Sequence, residues 1–358
     1  MTAEVRSVPL DDRDVADVAR ASAVPREAVE LARTCEIVDL HLESFIPPRL
    51  WGYDLLAKNR SPFGGRWFGH LDVPRAIEGG LTGAMWSIAT NITRSAARRP
   101  GILEENITAL HRTLEKSGRI EVVRTHSEYV AARGRGKHAA LVTVQGGNAL
   151  EGIEEKVGTV GGGVLTRVTV VHLSNSRYGD TSSPLRLGAD RGLSDRGREL
   201  VRHMNEARVF VDLAHASPRT FWDAVEVHDR TQPLIDTHTG ASAVHPMWRN
   251  LDDAQIKAIA DTGGVVGVIF ADNFLGKRGK SLESVVDHLE AMIRAGGEEC
   301  AALGSDYDGM IIPPRELRDG AHAYYRLVAS MLARGWREDR IRRVLGTNFL
   351  RSFAALRP

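Results

Sequence analysis

Residues 209–215 read Val-Phe-Val-Asp-Leu-Ala-His, a short apolar run that closes on a carboxylate and an imidazole. A stretch that is apolar at consecutive positions suits a parallel strand covered on both faces. The same construction recurs at 36–40 (EIVDL), 83–89 (GAMWSIA), 139–145 (AALVTVQ), 168–173 (VTVVHL), 233–236 (PLID), 264–270 (GVVGVIF) and 300–305 (CAALGS). Between these runs the apolar period lengthens to that of a helix. Leu282, Val285, Val286, Leu289, Met292 and Ile293 fall on one helical face behind Ser281 as N-cap. Ser194 opens a helix carrying Leu200, Val201, Met204 and Ala207, and Asp252 opens another that Gly263 and Gly264 end. Eight strands alternating with helices predict a (β/α)8 barrel of the TIM type, with functional groups at the strand C-termini. An open doubly wound sheet shares the alternation and is the rival; the count of eight favours the barrel.

The remaining composition narrows the function. The chain has 358 residues and a formal net charge of +1, so it lacks the basic excess that a nucleic-acid binder needs. Two cysteines, Cys35 and Cys300, exclude a disulfide framework and a multi-cysteine zinc module. The first residues carry scattered acids and no apolar core segment, and nowhere do eighteen apolar residues run together. The expectation is a cytoplasmic protein with no membrane partner. Residues 1–30 read as an N-terminal helical extension and 31–358 as a single barrel domain with a long aromatic loop at 45–70. Phe45, Trp51, Tyr53, Phe63, Trp67 and Phe68 crowd that loop, which reads equally as a pocket wall or lid and as an oligomer contact, so a homodimer is admitted. Gly161–Gly163 lacks a following Gly-Lys-Ser/Thr, and no Gly-x-Ser-x-Gly elbow occurs.

Polar residues gather where the strands end. Strand one runs into Asp39-Leu40-His41-Leu42-Glu43, and residues two apart on an extended segment face one side, so His41 and Glu43 can address one ion. His215, His238, His172, Gln145 and Asp306 stand at the ends of five further strands. Any one histidine is more often a hydrogen-bonded structural residue than a ligand. Jointly, imidazoles and carboxylates at one barrel mouth form a metal-ligand set of the zinc type. Asp39, Asp212 and Asp236 read as supporting groups rather than direct ligands.

These motifs also carry a resemblance. Asp-Leu-His-Leu-Glu (39–43), Leu-Asp-Val-Pro-Arg-Ala-Ile-Glu-Gly-Gly (71–80), Val-Gln-Gly-Gly (144–147), Gly-Leu-Ser-Asp-Arg-Gly-Arg-Glu-Leu (192–200), Val-Asp-Leu-Ala-His-Ala-Ser (211–217), Arg-Asn-Leu-Asp-Asp (249–253), Gly-Ser-Asp-Tyr-Asp-Gly (304–309) and Asn-Phe-Leu-Arg-Ser-Phe (348–353) follow in order. In this order they resemble the renal or membrane dipeptidases, metal-dependent hydrolases, in their bacterial branch. The resemblance implies a barrel with two zinc ions bridged by a carboxylate and a water or hydroxide. It places His41 and Glu43 on the first ion and His215 and His238 on the second. Gln145 takes the bridging position, His172 lies near the scissile carbonyl, Arg249 pairs with the substrate's terminal carboxylate, and Asp306 handles protons.

Two positions depart from the family pattern. Glu43 stands where that pattern has Asp, which lengthens the arm by one methylene. Gln145 stands where a bridging Glu is expected, and its neutral amide brings two N–H donors. The expectation is therefore zinc at one or two positions, with the His215/His238 pair holding an ion more firmly. The leading function is hydrolysis of small dipeptides. The alternatives are a relative with an impaired or single metal site that binds or processes another small amide or amino-acid-like ligand, and a barrel hydrolase or lyase on a natural-product intermediate.

Overall fold

The computed structural model describes residues 11–61, 64–89, 94–184, 188–276 and 281–358. Two helices, Val15–Ser22 and Arg26–Arg33, precede the first strand; the former is capped by Asp14, whose carboxylate accepts from the amide of Ala16. Among the described residues nine strands follow: β1 Val38–Leu42, β2 Gly83–Ala89, β3 Ile120–Val122, β4 His138–Gln145, β5 Leu165–Thr169, β6 Phe210–Asp212, β7 Asp236–Thr239, β8 Val266–Val268 and β9 Ala301–Leu303. All pair in parallel, in the order β6-β5-β4-β2-β1-β9-β8-β7, with β3 attached to the start of β4.

This order is sequential around a ring and contains no reversal, which rules out the doubly wound sheet. The ring is joined by a parallel bridge between Asp212 and Ile235, where the Leu213 amide donates to the Ile235 carbonyl at 2.9 Å. The architecture is a (β/α)8 barrel with one extra short strand. The runs 83–89 and 139–145 coincide with β2 and β4 to within a residue, whereas 168–173 lies three to four residues off β5 and 233–236 three residues off β7. Leu234 and Ile235 supply the apolar signal before β7, but pairing continues through the polar Asp236-Thr237-His238-Thr239.

Most strand side chains are buried on both sides, as the consecutive apolar pattern requires. Leu40, Met85, Leu141, Phe210, Ile235, Val265 and Ala302 pack with Phe349 and Phe353 of the helix Asn348–Leu356 and plug one end of the barrel. A larger apolar layer lies between strands and helices. Ser194 and Asp252 cap their helices as expected, Asp252 through a full capping box with Gln255, while Ser281 makes no side-chain cap bond. With the apolar plug at one end, polar groups are left to the other.

Of the aromatic loop, Phe63 falls outside the described residues. Asp308 anchors the rest: its carboxylate accepts from the amides of Gly69 and His70 at 2.6 and 3.0 Å and from Ser44 Oγ at 2.5 Å. Trp51 packs edge-on to Phe68, yet Trp51 remains half exposed. No described helix is long and apolar enough to cross a membrane.

Candidate metal centre

The backbone turns the predicted site residues inward by local irregularities. Asp39 pairs with Ala84 while Leu42 pairs with Trp86, so three residues of β1 oppose two of β2. Such a bulge re-aims side chains. His41 thereby meets partners on β5 and β7, across the barrel. His215 and Asp306 both adopt left-handed backbone, with φ of 68° and 60°. Non-glycine residues hold that conformation only where their surroundings enforce it. The His215 carbonyl is held by the Ser182 amide at 2.8 Å, and the Asp306 amide donates to the His41 carbonyl at 3.0 Å. Gly309 is required beside it, because a Cβ there would lie 2.1 Å from Asp306 Oδ1.

The structure brings all eight predicted side chains to one mouth. His215 Nε2 and His238 Nε2 are 3.0 Å apart, and Gln145 Nε2 lies 3.1 and 3.3 Å from them. His41 stacks on His238 with ring centroids 3.8 Å apart. His41 Nε2 is 3.2 Å from Glu43 Oε1 and 3.7 Å from Asp306 Oδ1. Ligand atoms of His41, His238 and Asp306 all fall within 4.8 Å of one another. The half-buried His172 stands edge-on to His215 at 4.7 Å. Arg249 donates from Nη2 to the His238 carbonyl at 2.7 Å and lies over the Phe274 ring.

Supporting carboxylates sit behind this set. Asp39 accepts from the amides of His41 and Ser305 and from the Tyr324 hydroxyl. Asp212 accepts from the amides of Ala214 and Thr237 and from the hydroxyls of Thr169 and Thr237. Asp236 accepts from the His238 amide at 3.3 Å. Burial, opposed by the Arg249 charge, pushes the Asp236 carboxyl up to about 7.

Burial dominates the protonation of these groups. Burial raises the carboxyls of Glu43 and Asp306, and Glu43 raises Asp306 further. Burial, then neighbouring cations, holds His41, His215 and His238 well below the usual imidazole range, and His172 is pushed down to about 4 by burial. Rings kept neutral retain a lone pair for a metal. Both Glu43 oxygens and His41 Nε2 are buried without a well-aligned hydrogen-bond partner among the described residues. Buried polar atoms left in that state cost stability unless something else satisfies them.

One residue at the centre is not apparent from motif or strand end. Arg167, inside β5 and fully buried, directs Nη2 to His41 Nδ1 at 2.7 Å. Its sequence signal is an arginine inside a strand with paired neighbours on both sides, a position that must supply internal acceptors.

Comparison with known proteins fits this geometry. The profile of the family described as membrane dipeptidase, peptidase family M19, matches residues 26–357. An uncharacterized Klebsiella pneumoniae protein from the pqqA 5' region is 38% identical over 165 residues, which are 45% of this chain. The match spans 59% of that relative's length. A solved metallopeptidase, dipeptidase AC, is 26% identical with a TM-score of 0.77, over 90% of this chain and 99% of its own. A Rhodobacter sphaeroides metallopeptidase, solved with a phosphinate mimic of the dipeptide L-Ala-D-Ala, is 24% identical. It shares the fold at a TM-score of 0.77 over 89% of this chain and 98% of its own. The barrel, its mouth and the profile agree: this chain belongs to the membrane dipeptidase family, peptidase family M19, a family of peptide-bond hydrolases.

Proposed function

We propose that this chain is a metal-dependent dipeptidase whose cation, zinc by its donor chemistry, would be held at the barrel mouth by His215 and His238. The observation that carries the reading is the convergence of those two Nε2 atoms, 3.0 Å apart, beside Gln145 and the buried carboxylates of Glu43 and Asp306. Buried imidazole and carboxylate donors suit zinc. When bound, the ion supplies a Lewis acid that polarises the scissile carbonyl and acidifies water.

The side chains do the rest. Thr237 orients His238 for ligation: its hydroxyl donates to Asp212 Oδ2 at 2.7 Å and so accepts from His238 Nδ1 at 2.9 Å. That leaves the Nε2 lone pair free, as a ligand needs. The Gln145 amide, turned over, offers its carbonyl oxygen where the family pattern has a bridging carboxylate. Arg249 pairs with the free carboxylate of a dipeptide, because its fork matches two carboxylate oxygens. His172, kept neutral, contacts the substrate next to the scissile carbonyl. Asp306 takes the proton of the attacking water and delivers it to the departing amine.

Steady-state hydrolysis of a dipeptide panel, by chelator-stripped protein and then by the same protein with zinc restored, tests this. The expected result is turnover that returns with zinc and disappears in Asp306→Asn. Absence of turnover at saturating zinc across the panel sinks the assignment. Hydrolysis confined to a non-peptide amide would move it to another substrate.

A further inference from the structure

Arg167 changes what His41 can do. A guanidinium carries N–H donors and no acceptor, and it stays charged in proteins. With Arg167 Nη2 at 2.7 Å, His41 Nδ1 must accept. A neutral imidazole has one proton, so that proton resides on Nε2, the atom directed toward Glu43 Oε1 at 3.2 Å. A nitrogen bearing a proton has no lone pair to give a metal. Metal-bound histidines show the opposite arrangement, with the remote N–H donating to an oxygen. His238 has that arrangement through Thr237.

Arg167 is not free to swing aside. Nη1 donates to the Val144 carbonyl at 3.0 Å and to Thr169 Oγ1 at 2.7 Å, with Asp212 Oδ2 at 3.5 Å. The side chain is fully enclosed. A fixed cation behind the ring also repels a dication in front of it.

We propose that Arg167 closes the His41/Glu43 half of the centre to metal, by fixing the His41 proton on Nε2, the nitrogen that faces Glu43, so that the chain holds one divalent ion, at His215 and His238. This rests on the dipeptidase reading for the identity of the centre, but not on its substrate. It differs from an account in which Gln145 alone weakens the centre, because restoring a carboxylate at 145 leaves the His41 proton where it is.

Zinc content settles it, measured by elemental analysis after gel filtration from excess zinc and by calorimetric titration with zinc chloride. Wild type and Gln145→Glu should each bind one zinc per chain, and Gln145→Glu combined with Arg167→Met should bind two. Two zincs in wild type, or in Gln145→Glu alone, overturn the proposal. Should the double variant fail to fold, the histidine tautomers of wild type decide. In protein labelled with 15N at histidine, long-range proton–nitrogen correlation should show His41 as the Nε2–H form before and after zinc addition. It should show His238 as the Nδ1–H form. An Nδ1–H form of His41, or loss of its Nε2 proton on adding zinc, overturns the proposal. One zinc without dipeptide turnover would refute the dipeptidase reading while supporting the role of Arg167. Two zincs with turnover would do the reverse.

Discussion

Thr237→Val tests the relay behind His238 most directly. The side chains are nearly isosteric, and Thr237 is fully buried, so the change removes one hydroxyl and little volume. Two bonds go: the 2.7 Å donation to Asp212 Oδ2 and the 2.9 Å acceptance from His238 Nδ1. Asp212 keeps the Thr169 hydroxyl at 2.8 Å and two backbone amides at 3.0 Å, so the strand junction should survive. His238 Nδ1–H is left without its acceptor, at a cost of about 1–3 kcal/mol to folding. Losing the oxygen that orients a ligating imidazole lowers metal affinity ~10–100-fold, equivalent to about 1.4–2.7 kcal/mol. The assay is competition for zinc against a chromophoric chelator, with urea unfolding of the metal-free protein alongside. Thr169→Val is the control, since it removes the other hydroxyl donor to the same carboxylate oxygen without touching His238. It should cost comparable stability and leave zinc affinity within about threefold, a shift of about 0.7 kcal/mol. Equal losses of affinity in the two variants, or none in Thr237→Val, would refute the orienting role.

Other outcomes follow from the same geometry. Arg249→Lys loses the fork while keeping charge, so KM for dipeptides should rise ~10–100-fold, the range for a hydrogen bond to a charged group, with kcat changed far less; an unchanged KM removes Arg249 from carboxylate recognition. His138, enclosed with its Nε2 accepting from Trp86 Nε1 at 3.1 Å, is pushed down to about 4 by burial. The unfolded chain therefore takes up a proton near pH 6.5 that the native chain refuses, so this stability is full above about 6.5 and is lost progressively toward pH 4, roughly 3 kcal/mol in all. Urea unfolding at pH 7 and pH 5 should show a smaller pH dependence in His138→Gln than in wild type; an equal dependence would be the refuting result. Gly264→Ala would set a Cβ 1.6 Å from the Leu234 carbonyl oxygen where β7 and β8 begin. It should destabilise by about 3 kcal/mol or more, and a melting temperature within a degree of wild type would contradict that packing.

How much of this was legible beforehand depends on the physics behind each feature. Consecutive apolar residues mark strands buried on both faces, so all eight barrel strands could be found from local sequence. Their edges were blurred where function intrudes. Asp236-Thr237-His238-Thr239 is polar because its side chains serve the mouth, and polarity disguises it as a loop. The short Ile120-Glu121-Val122 strand, paired only with the start of β4, has too few residues for a periodic signal. Histidines and carboxylates at strand ends could be predicted to meet because barrel topology brings all strand ends to one face. Arg167 could not be predicted to face His41. Its neighbours in Leu-Thr-Arg-Val-Thr give no such cue, and its partner lies 126 residues away.

That difference bears on what family membership conveys. The ordered motifs fix where the barrel places its histidines, and His41 and His238 stack with centroids only 3.8 Å apart. Two rings in nearly one environment nonetheless carry their protons on opposite nitrogens. The cause is what stands behind each ring: a guanidinium that can only donate for His41, and a hydroxyl already committed to Asp212 for His238. Burial keeps both rings neutral, so neither can evade the constraint by taking a second proton. A histidine's capacity to ligate is therefore decided by the donor or acceptor at its far side, and in this barrel that choice is made by Arg167, outside the motifs that bring the rings together, and by Thr237, the unremarked middle residue of Asp236-Thr237-His238.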